Sequence, residues 1–136
     1  MTSKIIGTGQ YLPSQIVTND DLAQIMETSD EWIRERTGIR ERRIDTGEGM
    51  ISMAVKAAKA AIADALIEKE SLDMILVATS TPEMILPNCA CVVQKELGIS
   101  GCICYDLNAA CTGFMYMLQT AHAFIVSGMA KRILLI

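Results

Sequence analysis

The sequence predicts an α/β fold with a mostly parallel sheet, and three observations carry that expectation. Apolar runs of strand length alternate with segments of helical period along the chain. The run Asp73 to Thr79 is almost unbroken in its apolar character, as in a strand covered on both faces. The 136 residues are 51% hydrophobic and 21% charged, which fits one packed core and excludes a disordered chain.

Each element has its own signal. Lys4 to Thr8 reads as a short apolar strand ending at Gly7-Thr8-Gly9. Thr18-Asn19-Asp20 offers cap residues for a short helix through Met26, and Thr28-Ser29-Asp30 opens a second from Glu31 to about Arg36, broken by Gly38. Ile39 to Ile44 alternates loosely, as a short strand or a turn. Met50 to Glu68 is amphipathic: Ser52, Lys56, Lys59, Asp64 and Glu68 share one face, with Ile51, Val55, Ala58, Ile62 and Leu66 largely opposite. Thr81-Pro82 and Pro87 bound a loop before a helix from Asn88 to Leu97, which Gly98 ends. Cys102 to Leu107 is another core strand. Cys111 to Ser127 is an apolar helix stopped by Gly128, and Ile133 to Ile136 is a final strand. The sequence stops inside that strand, and a buried strand needs a continuation or a cover. The expectation is a single domain over 1–136 that is either a truncated product or one half of something larger.

Composition narrows the function. A net charge of −4 lacks the basic excess of a nucleic-acid binder. The N-terminus shows no signal-peptide pattern. The charge-free stretch Leu107 to Ala130 is long enough to cross a membrane, but Asn108, Thr112, Gln119, Thr120, His122 and Ser127 interrupt it. A helix buried inside a protein and no membrane partner is the reading taken. Five cysteines without a secretion signal predict reduced thiols and a cytoplasmic protein.

Cys111 is the first candidate for chemistry. It stands where a strand runs through Asn108-Ala109-Ala110 into a helix. A thiol there meets the positive end of the helix dipole, which favours the thiolate. Small neighbours let a substrate approach the backbone, as a covalent acyl carrier requires. A small buried cysteine packing like alanine is the competing reading, and position alone does not separate the two. His122, the sole histidine, lies eleven residues further along the helix, about 16 Å along its axis and beyond reach of Cys111. It reads as a core or capping residue. Cys89-x-Cys91 and Cys102-x-Cys104 lack the usual spacing of metal ligands, so no metal site is expected. Gly7-Thr8-Gly9 and Gly47-Glu48-Gly49 fail as dinucleotide fingerprints at Leu12 and Ser52.

The second candidate is Thr28 to Arg43, with Arg34, Arg36, Arg40, Arg42, Arg43 and the only tryptophan, Trp32. Trp32 and Arg36 are neighbours one helical turn apart. An indole beside a guanidinium suits an adenine ring with phosphates nearby. A solvated helix laced with salt bridges to Glu31, Glu35 and Glu41 accounts for the same residues.

Together these segments resemble a known family. Thr28-Ser-Asp-Glu-Trp32-Ile, followed by Arg36-Thr37-Gly38-Ile39, resembles the opening signature of the β-ketoacyl-acyl-carrier-protein synthase III family. Asp106-Leu-Asn-Ala-Ala-Cys111-Thr-Gly-Phe114 resembles its active-site cysteine motif. Ile5 to Gly9, Tyr11-Leu12-Pro13 and Leu86-Pro87 also match. The resemblance covers the whole chain but only the first half of such an enzyme. It implies the N-terminal half of the αβαβα thiolase-like fold, with a buried central helix.

The resemblance also implies an activity. The family starts fatty-acid synthesis by Claisen condensation of a short acyl-CoA with malonyl-acyl-carrier protein, holding the acyl group as a thioester on the residue matching Cys111. Thr28, Trp32 and Arg36 match residues that hold the CoA nucleotide. No cofactor is bound permanently, because coenzyme A arrives as the substrate thioester. The family is homodimeric. A bulky residue aligned with Leu86 shapes the partner's acyl pocket; phenylalanine is familiar there, so Leu86 leaves the acyl preference open. The family's catalytic histidine and asparagine, and a glycine of its oxyanion hole, lie in the second half. Losing one oxyanion donor costs about 2.7–4 kcal/mol, so this chain alone is expected not to condense. The alternatives are a hydroxymethylglutaryl-CoA synthase-like or secondary-metabolism acyltransferase, and a non-catalytic interaction module.

Overall fold

A computed structural model describes residues 2–136. The chain forms two compact units: residues up to Tyr11 with Gly49–Ile136, and Leu12–Glu48.

The larger unit is built on three parallel strands: β3 (Met74–Ala78) lies between β4 (Ile103–Leu107) and β5 (Ile133–Leu135). The register sets Met74 opposite both Ile103 and Ile133, and Leu76 opposite both Tyr105 and Leu135. Central position explains the unbroken apolar run of β3, since Met74, Ile75 and Leu76 are each 0% exposed. Alternate residues face opposite sides. Ile75 and Val77 pack with Ala54, Val55 and Ala58 of α3 (Met50–Asp64) and with Ala90 and Val93 of α4 (Cys89–Leu97). Met74 and Leu76 pack on Met117 of α5 (Gly113–Val126). The result is a helix–sheet–helix sandwich, the expected parallel α/β arrangement.

Gly98 ends α4 as the sequence predicts, while Asn88 stands just outside the helix as its cap rather than as its first residue. The Asn88 side chain accepts from the Cys91 N–H at 2.8 Å, and Gly98 closes α4 at φ 68°. The helix α3 ends earlier than its periodicity suggests. Leu66 adopts φ 53° and stands 92% exposed, so it leaves the apolar face assigned to it. The helix α5 is buried along one stripe, Gly113, Met117 and Ala121, while Phe114, Met115 and Tyr116 face outward. The expected central helix is therefore covered on one side among the described residues. No described helix is long and apolar enough to cross a membrane.

Lys4 to Thr8 is not a strand. It runs against α3 instead: the Thr8 N–H donates to the Asp64 carboxylate at 2.8 Å, and a Cβ on Gly7 would stand 2.6 Å from the Ala65 nitrogen. A cavity of about 680 Å³, lined by Ile6, Gly9, Ala61, Leu118, Ile125 and Leu135, separates the segment from β5. The segment is left unpaired although β5 stands at the edge of the sheet.

The smaller unit has a two-stranded antiparallel ribbon, β1 (Gln15–Thr18) with β2 (Glu41–Ile44), and two helices, α1 (Asn19–Ala23) and α2 (Asp30–Thr37). The strand β1 carried no clear sequence signal. Asn19, the one buried polar side chain among the described residues, ties the unit together. Its amide donates to Asp30 and to the Ile39 carbonyl, each at 2.8 Å, and accepts from Arg42 at 2.7 Å.

Candidate active site

Cys111 sits in a single 3-10 turn, Ala110–Thr112, that joins β4 to α5. The expected strand-to-helix setting is thus formed, with the helix proper beginning two residues later. Ala110 takes φ 45°, a conformation that costs a residue with a Cβ about 1–2 kcal/mol. The surroundings hold that strained turn. Both the hydroxyl and the N–H of Thr112 donate to the Ala109 carbonyl, at 2.7 and 3.1 Å. Gly113 seats the start of α5 on β3: a Cβ there would stand 3.1 Å from the Ala78 Cβ. Ser80 donates to the Asn108 side chain at 3.1 Å, fixing the residue at the exit of β4.

Asp106 does something its sequence position did not reveal. Its carboxylate accepts from the Cys89 and Ala90 N–H groups at 2.7 and 2.8 Å, so a β4 side chain caps the N-terminus of α4. The strand that delivers Cys111 is thereby anchored to the helix beside it. The only sequence hint was an acidic residue in an otherwise apolar strand. Glu83 plays a similar part at α3, accepting from the Ile51 N–H at 3.1 Å.

All five thiols are free, and Cys111 alone among them is exposed. Burial, reinforced by the Asp106 carboxylate, pushes the Cys89 thiol up. Burial and the adjacent Cys102 thiol push Cys104 up to about 12. Those two are held protonated, Cys89 buried and Cys104 half-buried, whereas Cys111 is offered to solvent at the head of a fourteen-residue helix. His122 is exposed rather than in the core, its Nδ1 2.9 Å from the Ser3 hydroxyl. Among the described residues no three His, Cys, Asp or Glu side chains gather to hold a metal ion. Leu86 lies in a different loop, 82% exposed beside Ile85 at 85%, and precedes a cis Pro87.

Trp32 and Arg36 lie in the smaller unit, on α2. Ser29 caps that helix by accepting from the Trp32 N–H at 3.1 Å, and Gly38 closes it at φ 74°. The Arg36 guanidinium carbon lies 4.4 Å from the Trp32 ring centroid, and its Nη1 donates to the Trp32 carbonyl at 3.3 Å. Two residues earlier Arg34 pairs with Asp30 at 3.2 Å, and Arg43 pairs with Glu41 at 3.1 Å. Asn19 holds the Asp30 carboxyl below the usual range, helped by Arg34. Thr28 stands half-buried just before the helix. Trp32 remains 53% exposed, one indole face backed by the guanidinium.

Known proteins match this arrangement. The 3-oxoacyl-acyl-carrier-protein synthase III family pattern matches residues 105–136, the segment containing Cys111. β-Ketoacyl-acyl-carrier-protein synthase III of Clostridium novyi is 51% identical over 133 residues, covering 98% of this chain and 41% of that protein. The crystal structure of the Aquifex aeolicus 3-oxoacyl-acyl-carrier-protein synthase III superposes with a TM-score of 0.94 at 51% identity, over 97% of this chain and 43% of that one. The priming β-ketosynthase of the R1128 polyketide pathway superposes at 0.92 with 32% identity, over 97% of this chain and 40% of that one. The chain thus spans about two fifths of the length of these relatives. By sequence and by fold it is a homologue of the N-terminal portion of β-ketoacyl-acyl-carrier-protein synthase III.

Proposed function

We propose that this chain is the acyl-accepting half-domain of a Claisen-condensing acyltransferase, with Cys111 taking the acyl group of a short acyl-CoA as a thioester. The observation that carries the reading is the exposed Cys111 on a strained turn at the head of α5. The thiolate sulfur attacks the thioester carbonyl, and the Cys111 backbone N–H offers one hydrogen bond to the developing oxyanion. Coenzyme A leaves as a thiol, and the acyl–Cys111 thioester remains.

Thr28, Trp32 and Arg36 form the nucleotide side of the reading. In this reading the open indole face stacks an adenine and the guanidinium beside it pairs with the phosphates, a role that the Arg36–Trp32 stacking supports. The Leu86 loop contributes to an acyl pocket across a homodimer. The full reaction takes malonyl-acyl-carrier protein as the second substrate in the cytoplasm, beginning a fatty acid. A second reading, priming of a secondary-metabolite chain, is favoured by the likeness to the priming β-ketosynthase. The only histidine, His122, stands eleven residues along the helix from Cys111 and is bonded to Ser3, so it offers no base to that thiol.

Incubation of the chain with acetyl-CoA and malonyl-acyl-carrier protein, followed by intact-mass and peptide analysis, tests the proposal. The expected result is an acetyl thioester on Cys111 and no condensed product. Acetylation confined to another cysteine overturns the site. Sustained turnover overturns the half-domain reading.

A further inference from the structure

Two cysteines outside the candidate site stand together. Cys102 and Cys104 project from the same side at the start of β4, with their sulfurs 3.6 Å apart. The Gln94 amide of α4 reaches over them, donating to the Cys102 sulfur at 3.2 Å. Cys91, also on α4, is close enough to act electrostatically on Cys104. Residues two apart on a strand stand about 6.6 Å apart at Cα, near the upper limit of roughly 6.8 Å for a bridged pair. Cys102 lies just outside β4 and follows Gly101, whose φ of 81° marks a turn, so the backbone there has room to pucker.

We infer that Cys102 and Cys104 form a vicinal dithiol, a modification site that small-molecule disulfides close into an intrachain disulfide. Cys104 reacts second, because burial keeps its thiol protonated. The Cys102 thiolate attacks one sulfur of the small disulfide and displaces one small thiol. Cys104 then attacks the Cys102 sulfur of that mixed disulfide, loses its proton and releases the second small thiol. The pair loses two electrons and two protons, and the small disulfide gains both. The near-limiting Cα span makes the bond easy to reverse with excess thiol.

The test uses the chain carrying Cys111→Ser, which removes the exposed competitor, treated with oxidised glutathione and mapped by peptide mass spectrometry. The expected result is loss of two free thiols, a Cys102–Cys104 linkage and no lasting glutathione adduct at either position. Adding Cys104→Ser should leave a stable glutathione adduct on Cys102, while Cys91→Ser should close like its parent. Circular dichroism verifies that each variant keeps its helices. Lasting adducts on both cysteines, a Cys91–Cys104 linkage, or an unreactive pair in the folded parent would each overturn the proposal.

Discussion

The Cys111 turn and the Trp32 helix present their side chains by opposite physical means. Cys111 rests on a buried strand system. The β3 residues beneath it are fully enclosed, Asp106 ties β4 to α4, and the strained Ala110 is held by what surrounds it. Trp32 and Arg36 rest on a small unit with little apolar interior, where one buried asparagine links α1, α2 and the residues around β2. A thiol that must meet a carbonyl needs a fixed position, and close packing supplies one. A stacking platform needs one open aromatic face, and a capped surface helix is enough.

If that contrast is right, breaking the anchor of each region should have unequal effects. Asp106→Ala leaves two N–H groups at the head of α4 without their carboxylate, and should destabilise the larger unit by about 2–3 kcal/mol. Urea unfolding followed by circular dichroism measures it; a loss near zero would mean that the anchor is ornamental. Asn19→Ala should cost the smaller unit about 1–2 kcal/mol. Trp32 is the only tryptophan and lies in that unit, so its fluorescence reads the loss locally.

A smaller pair of substitutions sharpens the comparison. Ala110→Gly relieves a positive φ and should stabilise by about 1 kcal/mol, while slowing acylation by loosening the turn. Gly38→Ala imposes the same kind of strain where a Cβ meets nothing, and should destabilise by about 1 kcal/mol. Denaturation midpoints that shift in the same direction would contradict the strain argument.

The smallest expected effect is on the acid limb. Asp30 is held low by its bond from Asn19, and Asp73 by the backbone N–H groups of Arg132 and Lys131. A carboxyl with a lowered folded pKa gives stability that is complete above its unfolded value, about 3.9, and is lost as pH falls through the folded value. Thermal midpoints should therefore be level from pH 7 to about 5 and fall below about 4. Asn19→Ala should flatten part of that fall in the tryptophan signal and leave it unchanged in the circular dichroism of the sheet unit.

Much of this was legible in the sequence, where signals were local. The apolar run of β3, the Gly98 cap of α4 and the Trp32–Arg36 neighbour pair each depend on residues within a turn or a strand. What was not legible depended on partners distant in sequence. Lys4 to Thr8 has a strand-like pattern yet is left unpaired, and a cavity stands between it and the edge strand β5. The role of Asp106 required knowing that β4 lies beside the head of α4. The positive φ of Ala110 has no compositional signal, because alanine rarely adopts it. Cys102 and Cys104 were readable as a spaced pair, but not as sulfurs 3.6 Å apart.

The central claim is that this fold singles out one thiol of five. Site-resolved iodoacetamide labelling of the native chain near neutral pH tests it most directly, with each cysteine quantified by peptide mass spectrometry over time. The account predicts that Cys111 is alkylated ahead of Cys89, Cys91, Cys102 and Cys104. Labelling of Cys111 at the same rate as the other four thiols, or more slowly, would contradict it.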